Sequence, residues 1–338
     1  MTTAAVIGCG DVATIHFEAI DAVEDIELVA VCDTDPVALA AAVERYGVPG
    51  FADHRALLAH VRPDVAHVCT PHDQHVPVAL DLLDAGVHVL TEKPVAHTLA
   101  DAERLAGAAE RSDARLGVCF QNRYNATSQA ARAVLDSGEL GAVLGATATV
   151  MWTRTPDYYL AKPWRGRWER AGGGLLINQA IHTLDLVQWL VGDVVEVSGR
   201  ASTRLYGDVI EVEDTAEMLL THDSGARSVV FGALTNVVHA PVTIEITAER
   251  GTLAIRGDLT VTHADGRVET VTERRAPSGG RTYWGVSHEV LVRDFYARLG
   301  EPDPFWIGPR EAMKSLRILK DVYAQSGLGL DREVALAR

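Results

Sequence analysis

The chain has 338 residues, with 31 basic against 46 acidic side chains and a formal charge of −15 at pH 7. That length accommodates two domains with ordinary cores. So acidic a composition disfavours nucleic acid and anionic membranes as partners, since both are held by basic surface. No apolar run approaches a bilayer span, and a strand follows Met-Thr-Thr at once. A leader or membrane anchor is therefore not expected, and a cytoplasmic protein is.

The first strand, residues 4–8, runs into Gly8-Cys9-Gly10-Asp11-Val12-Ala13 and then a helix ending near Ala22. This is a G-x-G-x-x-A turn. Gly8 permits the tight turn, Gly10 a close approach of backbone to a pyrophosphate, and Ala13 close packing of the helix, whose N-terminus faces the anion. Asp11 and Val12 lie in the same turn. A second strand, 27–32, ends on Asp33, at the spacing expected of an acidic residue that binds a ribose 2′-hydroxyl. Its neighbours Thr34 and Asp35 include no arginine for a 2′-phosphate, so NAD is expected over NADP.

Helix Pro36–Tyr46 is closed by Gly47. A strand at 64–70 leads to Thr70-Pro71 and a helix, Asp73–Ala85, that carries His75. The strand at 87–92 runs into Glu92-Lys93-Pro94, Thr98 with Asp101 resembles a capping box for the next helix, and a strand at 115–120 ends before Gln121. Near-continuous apolar strands separated by helices predict a parallel sheet covered on both faces, with ligands beyond the carboxyl ends of its strands. Gly8, Asp33, Thr70, Glu92, Lys93 and Gln121 all fall there. Lysine occurs only at 93, 162, 314 and 320, so Lys93 at a buried strand end invites two readings. It is either neutralised by Glu92, or it exchanges protons with, or hydrogen-bonds, a reacting oxygen. The four cysteines, Cys9, Cys32, Cys69 and Cys119, have neither paired nor metal-type spacing. They read as small apolar strand residues, kept reduced, and no metal is expected.

Beyond residue 122 the pattern changes. A helix near 126–137 precedes strand-like runs at 142–151, 194–206, 215–221, 227–237, 242–248, 252–256 and 268–272, with a long helix at 175–191 and terminal helices at 286–299 and 309–325. The expected division is a Rossmann domain over 1–122 and an α+β domain over 123–338, built on a large, mostly antiparallel open-faced sheet, with the terminal helix free to pack back on the first domain. Glu217, Leu219 and Thr221 point one way and Met218, Leu220 and His222 the other. Such a face predicts a homodimer or homotetramer.

Residues 152–170 collect Trp152, Tyr158, Tyr159, Trp164 and Trp168 with Arg154, Lys162, Arg165, Arg167 and Arg170. Flat rings suit the C–H faces of a sugar or cyclitol, and arginines suit a phosphate, a carboxylate or hydroxyls. The same arginines could equally be solvated or face the cofactor pyrophosphate. Tyr283, Trp284 and His288 are further candidates for the pocket. Gly172-Gly173-Gly174 then permits close backbone approach to a ligand or to the other domain, ahead of Asn178 and His182, which are four apart and so share a helix face, with Asp185 one turn on.

The glycine turn, Thr70-Pro71 with His75, Glu92-Lys93-Pro94, and the triple-glycine helix with His182 and Asp185 resemble the glucose-fructose oxidoreductase / inositol dehydrogenase (Gfo/Idh/MocA) family over essentially the whole chain. The resemblance implies NAD(P)-dependent hydride transfer at a secondary alcohol or ketone carbon of a sugar, sugar derivative or cyclitol. It implies that Lys93 and His182 line the reacting carbon, with Gly8, Gly10, Asp11, Val12, Asp33, Thr70, Pro71, His75, Glu92 and Lys93 on the cofactor side. Asn178, Gln121, Trp152, Tyr158, Trp164 and Arg165 are expected on the substrate side. Asn178 stands where inositol-type members carry aspartate, so an orienting or hydroxyl-binding role is expected of it in place of a proton-sharing one. His182, whose side chain ordinarily titrates near neutrality, and Lys93 are both open as the base. Three alternatives remain: a keto-sugar reductase in nucleotide-sugar biosynthesis, a non-catalytic nucleotide-binding sensor, and an enzyme acting on a non-sugar ligand such as an aromatic dihydrodiol.

Overall fold

The alternation of apolar strands and helices at the start of the chain resolves into a six-stranded parallel sheet. A computed structural model describes residues 1–274 and 287–329. Its first elements are β1 (Thr2–Ile7), α1 (Ala13–Ala22), β2 (Ile26–Cys32), α2 (Pro36–Tyr46), β3 (Gly50–Phe51), α3 (His54–His60), β4 (Val65–Val68), α4 (His72–Asp84), β5 (His88–Glu92), α5 (Leu99–Arg111) and β6 (Leu116–Cys119). The strands lie in the order β3-β2-β1-β4-β5-β6, every pair parallel. All residues of β4 and β6 are buried, which is why these strands, His67 of β4 apart, are apolar without alternation. The order reverses between β1 and β4, and a doubly wound sheet binds its ligand at such a switch point. Local chemistry sets the helix ends: Asp35 accepts from Val37 N–H, Gly47 closes α2 at φ 69°, and Thr98 accepts from Asp101 N–H.

The chain continues with α6 (Ala126–Asp136), β7 (Val143–Met151), α7 (Pro156–Leu160), α8 (Trp168–Ala171), α9 (Ile181–Val191), β8 (Val194–Ser202), β9 (Thr215–His222), β10 (Arg227–Ala233), β11 (Thr243–Ala248), β12 (Gly251–Arg256), β13 (Asp258–His263), β14 (Val268–Val271), α10 (Ser287–Ala297) and α11 (Pro309–Gln325). β7 to β14 form one sheet in the order β14-β13-β12-β11-β7-β10-β9-β8. The pairs are antiparallel except β7 with β10, which the helical segment between β7 and β8 allows to run parallel. Three strand expectations need correction. β8 stops at Ser202 because Asp214 draws the N–H groups of Arg204, Leu205 and Tyr206 out of the ladder. β10 stops at Ala233, where its pairing with β9 and β7 ends. β13 is an added strand, reached from β12 through the single turn residue Gly257 at φ 77°.

By contacts the chain forms two units: residues 1–121 with 287–313, and residues 122–274 with 314–329 of the described chain. α10 packs on α1 in the first unit, with Leu291, Val292 and Phe295 buried. In the second unit, one face of the sheet buries Met218, Leu220, Val230, Ile244 and Ile246. The opposite face leaves Val229 52% and Phe231 37% exposed.

Candidate active site and cofactor site

In the first unit, Gly8 has φ +93°, and a β-carbon there would come within 2.6 Å of the Cys69 carbonyl. Only glycine fits where β1 ends against the β4–α4 turn. Gly10 differs: the space a β-carbon would take is open to 4 Å, as an approaching pyrophosphate requires. No side chain caps α1, so its first turn offers N–H groups to an anion. Asp33, half-buried beside this turn, accepts from Cys9 N–H at 2.6 Å and Asp35 N–H at 2.8 Å, which ties the end of β2 to the glycine turn. Two buried oxygens at strand ends, Thr70 Oγ1 and Gln121 Oε1, lack a hydrogen-bond partner. Buried polar atoms are rarely left so, and a bound cofactor or substrate would satisfy them. These residues fit a dinucleotide.

His75 is buried, its ring nitrogens 2.7 Å from the Pro94 carbonyl and 2.9 Å from the Thr70 carbonyl. Burial holds its pKa below the ordinary value, and the ring clamps the turn before α4 to the segment after Lys93. Lys93 itself is partly exposed at the end of β5. Glu92 does not point with it. The Glu92 carboxylate is buried against α1 and α10, with His16 Nε2 at 3.0 Å and His288 Nε2 at 3.4 Å. Burial opposes its ionisation, but hydrogen bonds from His16 and His288 outweigh that and hold its pKa well below the ordinary range. The chain of contacts continues from His16 Nδ1 to His67 Nδ1 at 2.8 Å, and from His67 Nε2 to the Tyr296 hydroxyl at 2.9 Å. The ligand atoms of His16, Glu92 and His288 lie within 4.8 Å of one another, near enough for a metal ion, although 3.0 Å is also a hydrogen-bond length. His288, a further candidate for the pocket, is buried on Glu92. Tyr283 and Trp284 lie outside the described residues.

In the second unit, the glycine run serves the protein's own packing. A β-carbon at Gly173 would collide with the Tyr323 hydroxyl, and one at Gly174 with the Glu213 carbonyl. The buried Glu213 carboxylate accepts from Gly174 N–H at 2.8 Å, Leu176 N–H at 2.8 Å and the Tyr323 hydroxyl at 2.6 Å. Burial nevertheless pushes its pKa up to about 7. The expected helix over 175–191 begins as a π-turn, Leu176–Ala180, before α9. Asn178 to His182 is therefore not a regular α-helical step, and π-turns recur at functional positions. Even so, these two are the only residues not buried between Ala171 and Gln188. Asp185 faces inward, in a two-pronged ion pair with Arg123 at 2.8 Å and 2.8 Å. Neither Arg123 nor Glu213 stood out in the sequence, since a single charged residue carries no periodic signal.

Of the aromatic segment, the structure assembles part. Arg154 stacks on Trp152 and Tyr158, and Arg165 on Tyr158 and Trp164. Gln179, beside Asn178 in the π-turn, donates to the Tyr158 hydroxyl at 3.1 Å. Tyr159 is buried, Trp168 packs on Tyr323, and Arg167 pairs with Glu211.

Residues 2–120 match the NAD-binding Rossmann fold of an oxidoreductase family, and residues 128–254 match the GFO/IDH/MocA C-terminal domain. The chain belongs to the Gfo/Idh/MocA family. Among its relatives, D-apiose dehydrogenase of Paraburkholderia graminis is 31% identical over 96% of this chain and 88% of that protein. The WlbA dehydrogenase of Bordetella pertussis, solved with NADH and UDP-GlcNAcA, is 31% identical with a TM-score of 0.83, over 97% of this chain and 98% of that one. An Agrobacterium radiobacter oxidoreductase, 24% identical, shares the fold with a TM-score of 0.86 over 96% of each chain. This Gfo/Idh/MocA protein is thus an NAD-dependent oxidoreductase. Its Asp33 carboxylate would repel a 2′-phosphate, so a cofactor titration is expected to show at least about tenfold tighter binding of NAD than of NADP, or about 1.4 kcal/mol. Equal affinities would remove Asp33 from that role.

Proposed function

We propose that the protein oxidises a secondary alcohol of a sugar, sugar derivative or cyclitol. The observation that carries this reading is the shared opening of Asn178 and His182 in an otherwise buried segment, in the same unit as the Trp152–Tyr158–Trp164 cluster. The sugar-named relatives support it. NAD, when bound, supplies the hydride acceptor. Gly8, Gly10, Asp11, Val12, Asp33, Thr70 and Pro71 hold it, and His75 keeps two of the surrounding turns in place. His182 accepts the hydroxyl proton, and Lys93 donates a hydrogen bond to the oxygen as its charge develops. Asn178 and Gln121 orient substrate hydroxyls, while Trp152, Tyr158, Trp164 and Arg165 bind the ring. The same residues serve keto-sugar reduction in reverse. A panel of sugars and cyclitols with NAD, followed by the absorbance of the reduced cofactor, tests the reading. Turnover of simple aliphatic alcohols with no sugar or cyclitol oxidised would overturn it.

The open sheet face suits a homodimer or homotetramer: Val229 and Phe231 lie exposed on neighbouring rungs, and exposed apolar faces are commonly paired two-fold. Light scattering at micromolar concentration is expected to give at least twice 36.4 kDa, and a clean monomer would discard the interface. No helix of the described residues is long and apolar enough to cross a membrane, and all four cysteines are free thiols. A cytoplasmic location suits both.

A further inference from the structure

Three side chains of the first unit meet at a buried point that the proposed chemistry does not use. His16 comes from α1, Glu92 from the end of β5 and His288 from the first turn of α10, and none is more than 5% exposed. Both imidazoles address the same carboxylate oxygen, Glu92 Oε1, through their Nε2 atoms, at 3.0 Å and 3.4 Å. All three ligating atoms lie within 4.8 Å of one another. Two ligands bound to a tetrahedral zinc ion stand roughly 3.3 Å apart, so two of the observed separations already match to within a few tenths of an ångström. No metal-type spacing links the three residues in the sequence, because each belongs to a different element.

The cluster has a charge to answer. Among the described residues the partners of the Glu92 carboxylate are His16, His288 and the Cys119 thiol, and no lysine or arginine pairs with it. A buried carboxylate needs a cation or a shared proton beside it. A charged His288 ring would be costly there, since its Nδ1 is buried with no hydrogen-bond partner and would carry an N–H that nothing accepts. His16, in contrast, is held as a metal ligand is. Its Nδ1 lies 2.8 Å from His67 Nδ1, and His67 Nε2 lies 2.9 Å from the Tyr296 hydroxyl. With its Nε2 lone pair given to a metal, His16 donates its Nδ1 proton to His67, and His67 donates to the Tyr296 oxygen. Burial holds the His67 pKa well below the ordinary value, which keeps that ring a neutral acceptor. Outer partners of this kind fix the tautomer and direction of a ligating histidine.

We propose that His16, Glu92 and His288 bind a divalent transition-metal ion, zinc by the chemistry of two imidazoles and a carboxylate. The ion would clasp α1, which opens at the glycine turn, to the strand that leads into Lys93 and to α10. Without it the same atoms hold one another by hydrogen bonds. The test takes the full-length protein without an affinity tag, strips it with a chelator, and titrates it with zinc chloride against a chromophoric chelator. One zinc ion per chain is expected, with a dissociation constant below about 10 µM and a higher melting temperature for the loaded protein. His288→Gln and Glu92→Gln, each checked for folding by circular dichroism, are expected to weaken binding at least about tenfold and to remove the gain in melting temperature. His263→Gln, which alters a histidine paired with Glu139 and Glu269 in the second unit, is expected to change neither. X-ray absorption of the zinc-loaded parent protein needs no variant and is expected to show two imidazole ligands and an oxygen. Binding weaker than about 10 µM, binding that His288→Gln and Glu92→Gln leave unchanged, or a zinc environment without imidazole overturns the proposal and leaves the cluster as a hydrogen-bonded one.

Discussion

Replacing Lys93 or His182 by alanine is expected to lower kcat by about 10² or more, the usual scale for a proton-transferring or oxygen-stabilising group, and to leave NADH affinity near that of the parent enzyme. Lys93 stands partly exposed at the end of β5, while Glu92 beside it is turned away into the histidine cluster. His182 is one of two residues open to solvent in a segment that is otherwise buried. Neither substitution touches Gly8, Gly10 or Asp33, so the cofactor remains a control within the same measurement. A variant that keeps full turnover shows that residue to be structural. A variant that instead loses NADH binding shows it to act on the cofactor. Asn178→Ala belongs to the same series, and an effect confined to KM would mark it as a hydroxyl-binding group.

Replacing Arg123 by methionine is expected to destabilise the second unit by about 3–5 kcal/mol, the cost of leaving one member of a buried ion pair uncompensated. Arg123 and Asp185 are 1% and 0% exposed. Their two parallel contacts and the packing of Arg123 on Trp189, 5.4 Å from its ring centre, fix α9 one turn beyond His182. Denaturant unfolding should show the loss directly. Asp185→Asn, which keeps the shape and removes the charge, should show a distinct and separately measurable loss. A change within about 1 kcal/mol for Arg123→Met would mean that the pair is dispensable and that α9 is held by its apolar face alone.

Much of the first unit was legible in the chain. Continuous apolar runs bounded by Gly47, Gly86 and the Thr98–Asp101 cap are local signals, and the elements that form there end where those residues stand. β3 escaped because two residues are too few to show a period. In the second unit the alternation of β9 and β10 was readable, whereas the parallel pairing of β7 with β10 was not, since it depends on which strands meet after a long excursion. The end of β8 was decided by one carboxylate, Asp214, acting from another part of the chain.

The site divides along the same line. The sequence by itself determined the residues that chemistry demands at local spacing: the glycine turn, Asp33 after the second strand, Lys93 after Glu92, and Asn178 with His182 beyond the glycines. Their backbone requirements are set within a few residues, so one chain suffices to read them. Tertiary structure alone decided which of the polar groups are turned into the protein. Glu92 and His288, both plausible site residues, are drawn inward to His16. The triple glycine admits Glu213 and Tyr323 at the place where a ligand or the other domain is expected from the sequence. A buried charge or polar group must find its partner wherever folding brings one, often a hundred or more residues away, as Tyr323 lies from Glu213. Sequence spacing carries no record of that distance.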